Sequence, residues 1–149
     1  MRPDLYVIDE FGDGILLLNR EDGFEGVELN KAPTDFGSMG MTVGDINNDG
    51  VTDIDVSEMY SKAGKRVIAN LPEGTYSEEV MTKLRRLVDG SQLYLGTGEG
   101  KFKGAGISMG VDVVGWAWGA SLADFNNDGW LDLFATAGFM SHELGKPDG

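Results

Sequence analysis

The 149-residue chain reads as an all-β protein, built from about two to two and a quarter copies of a four-stranded unit with one inserted helix. Three observations predict this. Glycine, at 23 residues, has about twice its usual ~7% share. Runs of helix-favouring residues are scarce, and "GDINNDGVTD" (44–53) returns 79 positions later as "ADFNNDGWLD" (123–132). Short strands joined by tight turns and arranged as a repeat satisfy all three. An apolar share of 41% is enough for the core of one ordinary domain.

With the strands of a unit named A to D, the chain opens part-way through one. "PDLYVIDEF" (3–11) aligns with "LDLFATAGF" (131–139), which puts Asp4 where Asp53 and Asp132 stand and assigns strands B, C and D of a first unit to 1–30. "GILLLN" (14–19) followed by "REDGF" (20–24) predicts a hairpin whose glycine near the end of the turn supplies positive φ. The second unit spans 36–107. Its strand A is "MGMTVG" (39–44), which alternates as a half-buried strand does, and its strand B is "DIDVSEMY" (53–60), a looser apolar run. "SQLYLG" (91–96) and "TGEGKF" (97–102) repeat the earlier hairpin as strands C and D. Between B and C lies an insert, 61–91, with one amphipathic helix at about 77–89. Ser77 is its N-cap, Val80, Met81, Leu84, Leu87 and Val88 fall at helical spacing, and Gly90 stops it. That helix is expected to pack across a sheet face or edge, with Lys83, Arg85 and Arg86 on a solvated side. A third unit begins at 115–139 with "WGASLA" (118–123) and "DLFATAGF" (132–139), and 140–149 reads as a tail.

The net charge is −13, from 25 acidic against 12 basic residues. Attraction to nucleic-acid phosphates or anionic lipid is therefore not expected, and cations are the natural partners. The absence of cysteine excludes disulfides, thiolate metal sites and cysteine nucleophiles. No run of residues predicts a membrane-inserted helix, and Met1-Arg2-Pro3-Asp4 lacks the layout of a signal peptide.

The repeated loop has the form D-x-N-x-D-G-x-x-D. Oxygens at positions 1, 3 and 5 can converge on one point, glycine at position 6 permits the reversal, the carbonyl of position 7 turns inward, and the aspartate at position 9 closes the far side. An oxygen-only, flexible set of this kind suits Ca²⁺ better than Mg²⁺. Two sites are expected. The first would use Asp45, Asn47, Asp49 and Asp53 with the carbonyl of Val51, and the second Asp124, Asn126, Asp128 and Asp132 with the carbonyl of Trp130. Asn-Asp-Gly alone would also make an ordinary turn, but two copies with identical residue types at the four side-chain positions favour metal. An EF-hand is excluded, because position 12 is Val56 in one loop and Ala135 in the other, both within expected strands.

These features together resemble the FG-GAP or VCBS-type repeats of β-propellers, as in the integrin α-subunit head, and most closely the ASPIC-type family related to cartilage acidic protein. The residues that carry the resemblance are "DFGSMGMTVGDINNDGVTDIDVSEMYSKAG" (35–64), "GWAWGASLADFNNDGWLDLFATAGF" (115–139), "LYLGTGEGKF" (93–102) and "PDLYVIDEFGDGILLLN" (3–19). The resemblance implies four-stranded propeller blades, with a calcium loop between the first two strands of a blade on one rim. It also implies an extracellular or periplasmic home. Asn at position 3 of both loops departs from the commoner Asp and removes one charge per site. Nine strands fall short of the four to eight blades a closed ring needs, so a single, incomplete propeller is expected, with self-association through exposed blade edges.

Other constellations carry less. Trp116, Trp118 and Trp130 with Phe125 could form a sugar platform but are expected to pack in the core and between blades. His142 is expected to be a tail residue with no catalytic role. No nucleophile elbow and no phosphate loop is present, so an enzyme is not expected. Two functions remain. One is a calcium-stabilised module for protein or glycan interaction and adhesion; the other is a purely structural propeller segment that assembles into a larger ring with no ligand except calcium.

Overall fold

A computed structural model describes residues 2–12, 14–27 and 37–138. It contains three antiparallel sheets in chain order. The first is β1 (Leu5–Val7), β2 (Ile15–Arg20) and β3 (Gly23–Val27), and the second is β4 (Ser38–Gly44), β5 (Asp53–Glu58), β6 (Gln92–Gly98) and β7 (Lys101–Gly104). The third is β8 (Ala117–Ala123) with β9 (Asp132–Ala137). Each sheet is ordered as the chain runs; neighbouring strands are joined by hairpins, by other loops, by the acidic loops or, between β5 and β6, by a long insert. The expected all-β, incomplete repeat architecture is therefore present. The expected tail, 140–149, and His142 lie outside the described residues.

The sheets stack face to face, and strand alternation decides which side chains meet. Tyr6 pairs with Leu16 on the face of the first sheet that meets Ile54, Val56 and Tyr94 of the second, and Leu16 and Leu18 are buried there. The opposite face of the second sheet carries Gly40, Thr42 and Gly44 opposite Ser57, Asp55 and Asp53. Here β8 packs so closely across β4 that a Cβ on Gly40 would lie 2.9 Å from the Trp118 carbonyl, and one on Gly44 2.8 Å from Leu131. Gly40 lets backbone approach backbone, and Gly44 leaves room for the Leu122 and Leu131 side chains.

Strand β5 is thus covered on both sides. The looser apolar run of β5 is buried along its whole length, including Asp53, Asp55, Ser57 and Glu58. Two different neighbours cover its two faces: an apolar sheet on one side and a close-packed, small-residue sheet on the other.

The insert differs from expectation in a second way. It holds two helices, α1 (Lys62–Ala69) and α2 (Glu78–Leu87), and a short third helix, α3 (Gly106–Met109), follows β7. Ser77 caps α2 through the Val80 N–H, as its position predicts. Helix α1 is amphipathic through Ala63, Val67 and Ile68, but its eight residues span too little chain for that pattern to announce it. It starts where Ser61 Oγ accepts from Gly64 N at 2.9 Å, and it is held from outside. Lys65 Nζ reaches Asp89 Oδ1 at 3.3 Å and lies over the Tyr60 ring, while Gly64 leaves room for Val88. On α2, Lys83 and Arg85 pair with Glu79 and Glu78 along an exposed surface.

The aromatic residues also depart from expectation. Trp116 is half-buried, but Trp118, Phe125 and Trp130 are each more than half exposed. They do not join the core because, among the described residues, no sheet covers the outer face of β8 and β9.

Candidate metal centre

Each acidic loop runs between the two strands of a hairpin that its own ends define. Gly44 pairs with Asp53 across β4 and β5, and Ala123 with Asp132 across β8 and β9. Positions 1 and 9 are therefore held side by side before any ion is considered. Between them, Asn48 and Asn127 take left-handed φ of 55° and 60°, and Gly50 and Gly129 follow at 83° and 88°. Asparagine and glycine tolerate this region best, which is the local reason for the Asn-Asp-Gly sequence.

The two loops share one hydrogen-bond pattern, atom for atom. Asp45 Oδ1 accepts from Asp49 N at 3.0 Å and its Oδ2 from Gly50 N at 2.8 Å; Asp124 does the same with Asp128 N and Gly129 N at 3.0 and 2.8 Å. Asn47 Oδ1 and Asn126 Oδ1 accept from the position-5 N–H, at 3.1 and 2.9 Å. Their amide nitrogens donate to Asp49 Oδ2 and Asp128 Oδ2. Val51 N and Trp130 N donate to the position-5 carboxylates at 2.8 and 2.9 Å. Position 9 closes both loops, with Asp53 Oδ2 accepting from Ile46 N at 2.8 Å and Asp132 Oδ2 from Phe125 N at 3.1 Å.

The donor chemistry fits a hard cation. All side-chain groups at positions 1, 3, 5 and 9 offer oxygen, and a carboxylate oxygen that accepts one N–H keeps a further lone pair. The side chains nevertheless point at the loop's own backbone, and among the described residues no three carboxylate or imidazole groups converge as a ready-made metal cluster. The arrangement is an ordered turn that holds three anions per loop close together.

The surroundings of the two loops differ. Asp53 is fully buried, because its Oδ1 also accepts from Gly96 N of β6 at 2.8 Å. A Cβ on Gly96 would collide with the Thr52 carbonyl, so the loop lies directly against β6. The same bond recurs in the first sheet, where Asp4 Oδ1 accepts from Asn19 N at 2.8 Å. Asp132 is only half-buried, and among the described residues nothing in the third sheet corresponds to β6. Val51 is half-buried and Trp130 exposed. The loops also touch each other, Asn48 Nδ2 donating to the Gly129 carbonyl at 3.1 Å.

Two features near the loops were not legible in the sequence. Gly96 and Asn48 act through partners 43 and 81 residues away. Beyond the first loop, Asp55 Oδ1 and Ser57 Oγ are buried without a hydrogen-bond partner among the described residues. Burial pushes the Asp55 carboxyl up from 3.8 to about 6.

Comparison with known proteins bears on the whole chain. The family model for the FG-GAP-like repeat matches residues 1–56 and 85–135, so that the interruption falls on α1 and most of α2. Neither the curated proteins nor the solved structures give a match.

Proposed function

Because the chain belongs to the FG-GAP-like repeat family, we propose that it is a calcium-binding β-propeller module, non-catalytic, that acts in protein or glycan interaction and adhesion outside the cytoplasm. Within that family we place it nearest the ASPIC-type branch, on the strength of the hairpin "LYLGTGEGKF" (93–102) beside the two acidic loops.

One observation carries the calcium reading: two loops 79 residues apart repeat the same oxygen-only residue set and the same hydrogen bonds. Turn formation needs only some of these groups, so the preservation of all of them in both loops supports a shared ligand. Asp45, Asn47, Asp49 and Asp53 with the Val51 carbonyl would hold one ion, and Asp124, Asn126, Asp128 and Asp132 with the Trp130 carbonyl the other. Bound Ca²⁺ would supply the positive charge that three neighbouring carboxylates lack, which rigidifies the rim on which a partner docks.

Calorimetric titration with Ca²⁺ tests this. Two equivalents are expected to bind, with Asp49→Ala and Asp128→Ala each removing one, and Mg²⁺ is expected to bind more weakly. A thermal melt indifferent to chelator refutes the calcium reading. A glycan array or pull-down that gives a hit in Ca²⁺ and none in chelator supports the interaction role; assembly with no such hit supports a purely structural segment.

A further inference from the structure

Among the described residues, nothing covers one apolar face of the first sheet and one of the third, and the same packing relation that joins the sheets internally relates one face to the other. Within the chain, the face of the first sheet bearing Tyr6 and Leu16 lies on the Ile54 and Val56 face of the second. The opposite face of the second, with Gly40 and Gly44, lies on the third near Leu122. Each contact thus joins the face with Tyr6 or Asp55 of one sheet to the face with Ile54 or Leu133 of the next, in a constant direction along the chain.

Continuing that relation leaves one face of each kind. On the first sheet, Leu5 pairs with Leu17 and Val7 with Ile15 on the side away from the core, where Ile15 folds over Gly26. Leu5 is 50% exposed and Val7 42%. On the third sheet, Phe134 pairs with Ser121 on the side away from β4 and stands 57% exposed. Phe125 meets it edge to face, with ring centroids 6.1 Å apart. Phe134 occupies the register position that Asp55 holds in the second sheet, so an aromatic ring stands out where the internal interface buries a small polar residue. Solvent gives no reason to place phenylalanine there, whereas an apolar neighbour does.

We propose that the Phe134 face of one copy docks on the Leu5 and Val7 face of a second copy, extending the sheet stack head to tail between chains. The contact is face to face, not strand to strand through edges. It is heterologous, since the two surfaces differ, so repeated docking closes a ring or grows a filament. The occupant is a second copy because the chain itself carries both surfaces and already joins such surfaces twice internally.

Sedimentation velocity on the full chain tests this, run both in Ca²⁺ and in chelator. The wild type is expected to grow beyond the monomer as its concentration rises. Phe134→Glu and Leu5→Glu, both at half-exposed positions, are each expected to weaken self-association by roughly tenfold or more without lowering the melting temperature. Mixing the two variants is the diagnostic step. Each retains the face the other has lost, so the mixture is expected to form a one-to-one dimer and stop there. Val7→Lys and Thr136→Glu, on the same two faces, repeat the test should either first variant fold poorly. A wild type that stays monomeric at tens of micromolar overturns the proposal, as does association that survives both single variants. Failure of the mixture to pair overturns it as well. Retention of a monomeric chain on a sugar matrix, lost in Phe134→Glu, would assign the face to a glycan and also overturn it. A melt indifferent to chelator would remove the calcium reading and leave this sedimentation result standing.

Discussion

The two acidic loops have the same sequence pattern and the same internal hydrogen bonds, yet one is sealed into the molecule and the other is not. Asp53 bonds across to Gly96 of β6 and is fully buried, whereas Asp132, among the described residues, bonds to its own loop and stays half-buried. Identical local chemistry thus sits in two dielectric and mechanical settings. The difference teaches that the loop's shape is a local property, while its stiffness comes from the strand beside it.

Removing the closing aspartate should separate the loops most strongly. Asp53→Ala deprives two backbone N–H groups, Ile46 and Gly96, of a charged acceptor in a buried place, and is expected to cost about 3–5 kcal/mol. Asp132→Ala deprives only Phe125 N, at half exposure, and is expected to cost about 1–2 kcal/mol. Denaturant titration in chelator measures both, and equal costs would break the contrast.

A pH dependence should belong to the second sheet alone. Asp55 has its folded pKa raised from 3.8 to about 6 by burial; Asp53 is the ionisable neighbour on its face, and Phe134 is its register counterpart in the third sheet. A raised folded value means the native state keeps a proton that the unfolded state gives up. This contribution is fully present below about 3.8 and is lost as pH rises through about 6. Its size is roughly 3 kcal/mol, from about two units at 1.36 kcal/mol each. Stability of Asp55→Asn, followed in chelator over the same window, is expected to lack that decline, and a decline equal to the wild type's would contradict the assignment.

Calcium should then distinguish the loops by affinity. At about a hundredfold excess over its dissociation constant, each ion is expected to add about 2.7 kcal/mol. The first loop is expected to fill first, because β6 already fixes Asp53. Titration of Asp128→Ala should therefore lose the weaker step and Asp49→Ala the tighter one; the reverse order would show that preplacement by β6 does not set affinity.

The smallest expected effect isolates the contact between loops. Asn48→Ala and Asn127→Ala both place alanine in a left-handed conformation, but only Asn48 also donates to a neighbouring loop. The first is expected to cost about 0.5–1 kcal/mol more than the second, and a zero difference in melts would show the bond to be idle.

Much of this was legible in the residues. The 79-residue offset located both loops and the strands around them, and Ser77 marked the start of α2. Helix α1 was not legible, because its apolar pattern is only eight residues long and Lys65, Tyr60 and Asp89 help fix its place. Neither was the full burial of β5, since a run that mixes carboxylates with apolar residues does not state that both of its faces are covered. The exposed Phe125 and Trp130 escaped for the complementary reason: composition favours burial of aromatics, and only the stack shows that nothing described lies beyond them.

What the amino-acid order determined by itself is short-range. Left-handed Asn and Gly, carboxylates that cap the N–H groups two to five residues on, and alternating strand patterns are settled within about ten residues of chain, because sterics and local hydrogen bonds act over that span. The packing of three sheets decided the rest: which of two equal loops is sealed, why burial pushes the Asp55 carboxyl up, and which described faces remain open. Those outcomes depend on desolvation, and desolvation is set by whatever segment, however distant in the chain, comes to lie alongside.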